Sequence, residues 1–168
     1  PEIGWRFPEG ARGRLEVAGR LAKPLAVERL SLEAPGLEAL GGLTLRADGS
    51  LERVVFSRVK AGDWLDAPVV LVGRGAGKSP SVSISGGWID MRKTTLGAGD
   101  ATRGAAASKP TDGGGPVTLS LDRLIVSEGI TLTQFVGRFE TARGFDGAFK
   151  ARVNGKAAIT GQVLPDRG

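Results

Sequence analysis

The chain has 168 residues, with 23 Lys and Arg against 18 Asp and Glu, a formal net charge of +5, and neither histidine nor cysteine. Without those two residue types the usual zinc, copper and non-haem iron sites cannot be assembled, and thiol nucleophiles and Ser-His-Asp arrangements are unavailable. Only carboxylates, lysines and hydroxyls remain for chemistry, so the chain is read as a non-enzyme that carries no metal and no cofactor.

The chain is 40% apolar, enough to bury a core, and its 27 glycines and 9 prolines mostly punctuate short apolar runs as turn residues do. The missing cysteines suit a reducing cytoplasm or a periplasmic protein without disulfides, and decide nothing about compartment. The positive charge would suit nucleic acid or an anionic membrane surface. The Lys and Arg residues are scattered, however, with no run of five or six, so the reading is a basic surface spread over many strands and no nucleic-acid partner. No signal peptide and no apolar stretch of membrane-spanning length is present. The chain opens at Pro1 with no initiator Met, and is expected to be a segment of a longer protein whose targeting or anchoring parts lie outside it.

Along the chain, period-2 alternation dominates. From Arg14 to Leu21 the odd positions are apolar or glycine and the even ones mostly charged. Leu43–Asp48, Val117–Asp122 and Phe149–Val153 repeat the pattern, which places apolar side chains on one sheet face and charges on the other. Asp48-Gly49, Glu128-Gly129 and Asn154-Gly155 are the clearest turn signals between strands. Leu37 to Leu40 could start a short helical turn, but no amphipathic run of helical length exists. The segment from Gly97 to Gly115 is small, polar and rich in breakers, and reads as a flexible loop or linker. The expected fold is all-β: an antiparallel meander forming a curved or taco-like sheet with little helix. The division expected is a first β repeat unit over 1–96, the linker over 97–115 and a second, partial unit over 116–168, with one continuous sheet compatible with it.

The two halves resemble each other. Leu25–Leu32 (LAVERLSL) matches Leu119–Val126 (LSLDRLIV), and Arg29 meets Arg123 at an offset of 94 residues. The match passes through Gly36-Leu37 and Gly129-Ile130 with a one-residue slip. Arg58-Val59 and Arg152-Val153 restore the offset. In both copies the alternation breaks at Glu28-Arg29 or Asp122-Arg123, where a β-bulge or a turn would restore a common apolar face. Stacked repeats of this sort build elongated β architectures.

Three motifs imitate active sites. Gly73–Ser79 (GRGAGKS) resembles a phosphate-binding loop, but the first glycine of the Walker pattern falls on Val72 and Pro80 precedes an alternating strand, so it reads as a hairpin turn. Ser57-Arg-Val-Lys60 fits S-x-x-K, yet on a strand residues three apart face opposite ways. Asp90, between Trp88 and Arg92, reads as half of a structural Asp–Arg pair, since glycoside hydrolysis needs a second carboxylate. Trp5, Trp64 and Trp88 read as core or rim anchors in preference to a sugar platform.

The runs Ala61–Gly75 (AGDWLDAPVVLVGRG) and Val82–Arg92 (VSISGGWIDMR) resemble a segment of AsmA-like bacterial envelope proteins. Leu121–Leu124, Gly137–Glu140, Phe149–Gly155 and Gly161–Pro165 continue the likeness, which covers the chain from about Leu15 onward and is nearest the YhdP-like branch with its domain of unknown function. The resemblance is one of pattern and brings no catalytic residues. It implies a piece of a long, inner-membrane-anchored protein that projects through the periplasm towards the outer membrane. It also implies kinship with bridge-like lipid-transfer proteins, whose curved sheets enclose an apolar groove. The implied partners are phospholipid or another lipid, neighbouring segments of the same chain, and both membranes through the full-length protein.

On that reading the lipid-facing surface comprises Leu15, Val17, Leu21, Leu30, Leu32, Leu43 and Leu45 in the first repeat, and Leu119, Leu121, Leu124, Val126, Phe149 and Val153 in the second. The alternation equally describes a closed sandwich or barrel whose apolar face is core, which would make the chain a structural or interaction module of the envelope.

Overall fold

The computed structural model describes residues 13–20, 25–93, 114–142 and 146–164. Eleven strands follow one another: β1 (Arg14–Arg20), β2 (Ala26–Ala34), β3 (Leu37–Leu45), β4 (Leu51–Ala61), β5 (Leu65–Val72), β6 (Ser81–Ser85), β7 (Trp88–Asp90), β8 (Pro116–Ser127), β9 (Ile130–Glu140), β10 (Asp146–Val153) and β11 (Ala157–Val163). The only helical element among the described residues is a 3-10 turn at Met91–Lys93. All eleven strands form one sheet in meander order, antiparallel except where β6 and β7 both lie parallel to β8. β1 and β11 are its two edges.

Glycine sets the turns where the backbone must enter the left-handed region. Gly129 has φ 82°, and the only asparagine of the chain, Asn154 (φ 48°), precedes Gly155 (φ 71°) in the β10–β11 turn. Asn154 also ties that turn to the next hairpin. Its Oδ1 accepts from the Thr131 amide at 2.9 Å and its Nδ2 donates to the Gly129 carbonyl at 2.9 Å. The Gly73–Ser79 run forms the turn between β5 and β6, as the sequence suggests. The helical turn considered at Leu37–Leu40 is instead the start of β3, because the turn at Gly36 (φ 75°) delivers Leu37 and Ala39 to the same face as their neighbours on β4.

β6 and β7 are one strand interrupted. β6 pairs with the second half of β5 and the first half of β8, and β7 with the first half of β5 and the second half of β8. Between them Gly86 and Gly87 both take positive φ (75° and 69°), and a Cβ on Gly87 would strike the Asp66 carbonyl and Ala67. The Asp122 carboxylate accepts from the Gly87 amide at 2.9 Å, and the Gly87 carbonyl accepts from the Asp122 amide at 3.0 Å. The strands assigned from sequence to 1–96 and 116–168 therefore share one sheet. The linker reading of 97–115 falls outside the described residues except for Gly114 and Gly115. Gly115 is buried against Pro80, and its carbonyl accepts from the Thr141 hydroxyl at 3.0 Å.

A line of irregular positions crosses the sheet at mid-height. It runs through the bulge at Glu28-Arg29, Gly42 opposite it, the bulge at Ser57-Arg58, Pro68 and the Gly86-Gly87 break. It then continues through Asp122-Arg123 to Gln134, whose φ is 51°. Of the two sites where the repeat suggests a bulge or turn, Glu28-Arg29 is a bulge, whereas Arg123 pairs with Thr133 in the register set by Leu121 and Phe135, and the β8 bulge falls later, between Ile125 and Ser127. Pro68 is accommodated within an interior strand because its neighbours on both sides are interrupted where its missing N–H would have paired. Bulges raise local twist, and their alignment lets a wide sheet coil without losing its ladder.

Across every irregularity the apolar register survives. Leu121 and Leu124 are three residues apart, as are Phe135 and Leu132 opposite them, and both pairs stay on one face. Phe56 and Val59 do the same opposite Val69 and Ala67. One face of all eleven strands is thus built from Leu, Val, Ile, Phe, Ala and Gly, while Thr, Ser, Arg, Lys, Asp and Glu populate most of the other.

Candidate functional site: the apolar face

The apolar face is continuous from edge to edge. Leu15 pairs with Leu32 and Val17 with Leu30; Leu32 pairs with Ala39; Leu43 pairs with Val54 and Leu45 with Leu51. In the second half Leu119 lies between Ile84 and Gly137, Leu121 opposite Phe135 and Leu124 opposite Leu132. Phe149 lies between Gly137 and Gly161, and Val153 between Leu132 and Ala157. The register thus brings eleven of the thirteen residues named from sequence onto this one face. Val126 sits in the bulge between Ile125 and Ser127, unpaired and 40% exposed, and Leu21 lies outside the described residues. Ten strands deep at about 4.8 Å per strand, the face spans roughly 43 Å.

Sequence reasoning missed the middle of the face: Val54, Phe56, Val59, Leu65, Ala67, Val69, Leu71, Ile84 and Ile89, together with Phe135 and Phe139. Their alternation was present but cut at Ser57-Arg58, Gly86-Gly87 and Gln134. The two-residue slip already visible at Glu28-Arg29 was the signal that could have recovered them.

Four phenylalanine–glycine pairs shape the surface. Phe56 pairs with Gly41, Phe139 with Gly147, and Phe149 with both Gly137 and Gly161. A Cβ at any of these glycines would run into the partner strand or an overlying ring, Phe139's in the case of Gly137. The rings lie flat over bare backbone, the arrangement by which an aromatic side chain covers a strand glycine. Phe135 and Phe149 also stack, with centroids 5.3 Å apart.

The face is unevenly covered. Leu121, Leu124, Leu132, Phe135, Phe139 and Ala151 form a buried cluster, with Ile84, Ile89, Met91 and Ile159 packed against it. Leu121 retains 2% of its surface, whereas Leu15 at the opposite edge retains 62% and Val17 55%. No second sheet or helical layer lies over the face among the described residues. Leu121 and Leu124 therefore contact the protein's own side chains, while Leu15 and Val17 contact solvent.

The charged groups hold the frame. Arg58 grips Asp66 with two hydrogen bonds, 2.8 and 2.6 Å, across the β4 bulge. Asp90, 2% exposed, accepts from the Arg92 side chain at 2.9 and 2.6 Å and from the Arg92 amide at 3.1 Å, closing the 3-10 turn as the structural pair expected from sequence. Lys93 donates to Asp63 beside it. These hydrogen bonds from Arg58, Arg92 and Lys93 hold the Asp66, Asp90 and Asp63 carboxyls below the ordinary carboxylate value. Ser57 is occupied too, donating to the Leu40 carbonyl at 3.1 Å. Among the described residues no three metal-ligating side chains converge. Trp64 sits in the β4–β5 turn and Trp88 on the polar face. A broad, open depression across β9–β11 is lined by Val136–Arg138, Ala148–Lys150 and Thr160–Gln162.

Set against protein-family models, curated proteins and solved structures, the chain matches none. The geometry offers a large apolar surface, closed by its own side chains around Leu121 and open at the β1 edge, framed by satisfied ion pairs.

Proposed function

We propose that this chain is a segment of a cell-envelope protein that binds or conducts phospholipid along the apolar face of its sheet, without an enzymatic step. One observation carries the reading: an uninterrupted apolar face that is exposed at β1 and half-buried at Leu30, Leu32, Leu43 and Leu45 on β2 and β3, in a sheet with no second layer among the described residues. Burying a methylene recovers about 0.8 kcal/mol, so a sixteen-carbon acyl tail laid on this surface recovers roughly 12 kcal/mol. A sheet that is apolar on one side only and lacks a covering layer needs an occupant for that side. The resemblance to AsmA-like proteins supplies the setting: a periplasmic location within an inner-membrane-anchored chain.

A second reading has its own support. The buried cluster of β8–β10 resembles an ordinary core, which favours a structural module of the envelope that takes no ligand. Native mass spectrometry of the protein purified from bacteria, with extraction of co-purified lipid, separates the two. Phospholipid at near-integer stoichiometry is expected from lipid handling. A lipid-free, compact and thermally stable protein would transfer the assignment to the structural module.

A further inference from the structure

Asn154 is the chain's only asparagine, and Gly155 follows it. Asparagine is a thermolabile residue, and most so before glycine, where no side chain obstructs attack on its amide by the next backbone nitrogen. The other amide side chains, Gln134 and Gln162, precede phenylalanine and valine and would have to close a larger ring.

The fold holds Asn154 out of the reactive geometry. Ring closure needs the side-chain Cγ folded over the Gly155 nitrogen, yet both ends of the amide are engaged with a different turn. Oδ1 accepts from the Thr131 amide and Nδ2 donates to the Gly129 carbonyl, each at 2.9 Å. The Asn154 backbone amide donates to the Thr131 carbonyl at 2.7 Å. The turn itself is closed by the Lys156 amide on the Val153 carbonyl at 2.9 Å, with Asn154 and Gly155 both left-handed, the conformation of a two-residue hairpin turn. Arg152 grips the Gly155 and Lys156 carbonyls at 3.3 and 2.9 Å. Swinging the Asn154 side chain towards Gly155 breaks both of its hydrogen bonds.

The tie matters because the β9–β10 ladder is short at this end. Its register shifts between Lys150 and Arg152, and beyond the shift only Arg152 with Thr133 and Val153 with Leu132 remain paired. Val153 packs against the buried cluster, so this corner of the closed end is fastened by two strand pairs and the Asn154 side chain.

We propose that Asn154 is a site of spontaneous deamidation, held off by this tie and released when the β10–β11 turn opens. In the open turn the Gly155 nitrogen attacks the Asn154 Cγ, the Cγ–Nδ2 bond breaks, and ammonia leaves with the Gly155 amide proton. Water then opens the succinimide at either carbonyl, giving aspartate or isoaspartate. Neither product keeps the Nδ2 donor, and a carboxylate oxygen repels the Gly129 carbonyl, so the tie does not re-form. Isoaspartate also adds a methylene to the main chain and displaces the turn from its register. Opening is thereby recorded as a permanent change in covalent structure. This rests on the turn alone and holds whether or not the face takes lipid.

The test follows residue 154 by peptide mass spectrometry in the folded chain and in a synthetic peptide of residues 148–160, at one mildly alkaline pH. The folded chain should deamidate at least tenfold more slowly than the peptide. Urea below the unfolding transition should speed the reaction in step with hydrogen exchange of the Thr131 amide, whose proton Asn154 holds. The deamidated fraction, separated by ion exchange, should exchange that amide at least tenfold faster than the unreacted chain. A folded chain that deamidates as fast as the peptide overturns the proposal. So does a rate that stays flat in urea while Thr131 exchange rises, or a deamidated fraction whose Thr131 exchange is unchanged.

Discussion

The β8–β11 end and the β1–β3 end of the sheet are built to the same plan and reach different states. Both alternate apolar and polar residues and turn on glycine, and both carry a Leu-x-x-x-Arg-Leu run at whose arginine the apolar alternation changes phase. In β8–β10, three phenylalanines (Phe135, Phe139 and Phe149) and leucines of adjacent strands converge, and the face closes over itself until Leu121 and Phe135 retain only 2% and 4% of their surface. In β1–β3 the same positions hold Leu, Val, Ala and Gly with no aromatic ring, and exposure rises from 5% at Ala39 on β3 to 62% at Leu15 on β1, which has a neighbour on one side only. Aromatic rings and a strand on each side, at constant backbone plan, separate a core from an open surface. A segment that must be stable and still present an apolar surface can use one end for each purpose.

Breaking the closed end should have the largest effect. Leu121→Asp puts a carboxylate where 2% of the side chain is exposed, and should cost more than about 4 kcal/mol, enough to unfold a domain of ordinary stability in chemical denaturation. Gly87→Ala attacks the hinge between β6 and β7. Its left-handed φ and the approach of the Asp66 carbonyl leave no room for a methyl, so a loss of about 2–4 kcal/mol is expected by the same assay. Val17→Asp, its counterpart at the open end, should change stability by no more than about 0.5 kcal/mol and yet reduce co-purified lipid. A Val17→Asp protein that unfolds like Leu121→Asp would erase the distinction between the two ends.

Acidity sharpens the comparison in the frame. Hydrogen bonds hold the Asp63, Asp66 and Asp90 carboxyls below their ordinary value of 3.8. Groups lowered on folding lend stability that is fully present above the ordinary value and is lost as pH falls through the depressed ones. The chain has no histidine, so the melting temperature should stay level from about pH 5 to 8 and fall only below about pH 4. A transition near pH 6 would contradict this assignment of the ion pairs.

The fold class was legible because the side-chain period of a strand is 2 and glycine marks its turns; β1, β8 and β10 are visible in LEV, VTLSL and FKARV. The repeat showed the β2 bulge at Glu28-Arg29 in advance. What stayed hidden was pairing at a distance. Nothing local in SVSISGGWID says that its two halves lie parallel to β8, since that depends on Gly87 meeting the β5 backbone. Nor does the pattern at Leu15 differ from that at Leu121, because burial is decided by the rings of Phe135 and Phe149 from other strands. The candidate face was therefore legible in its membership and not in its exposure.

Photo-crosslinking with a phospholipid that carries a diazirine in its acyl chain tests the central claim most directly. Crosslinks mapped by peptide mass spectrometry should concentrate on Leu15, Val17, Leu30, Leu32 and Leu43, and spare Glu16, Ser31 and Thr44 on the opposite face of the same strands. Labelling that falls equally on both faces, or none at all, would contradict an open, lipid-accepting surface and leave a sheet whose apolar face serves only to fold it.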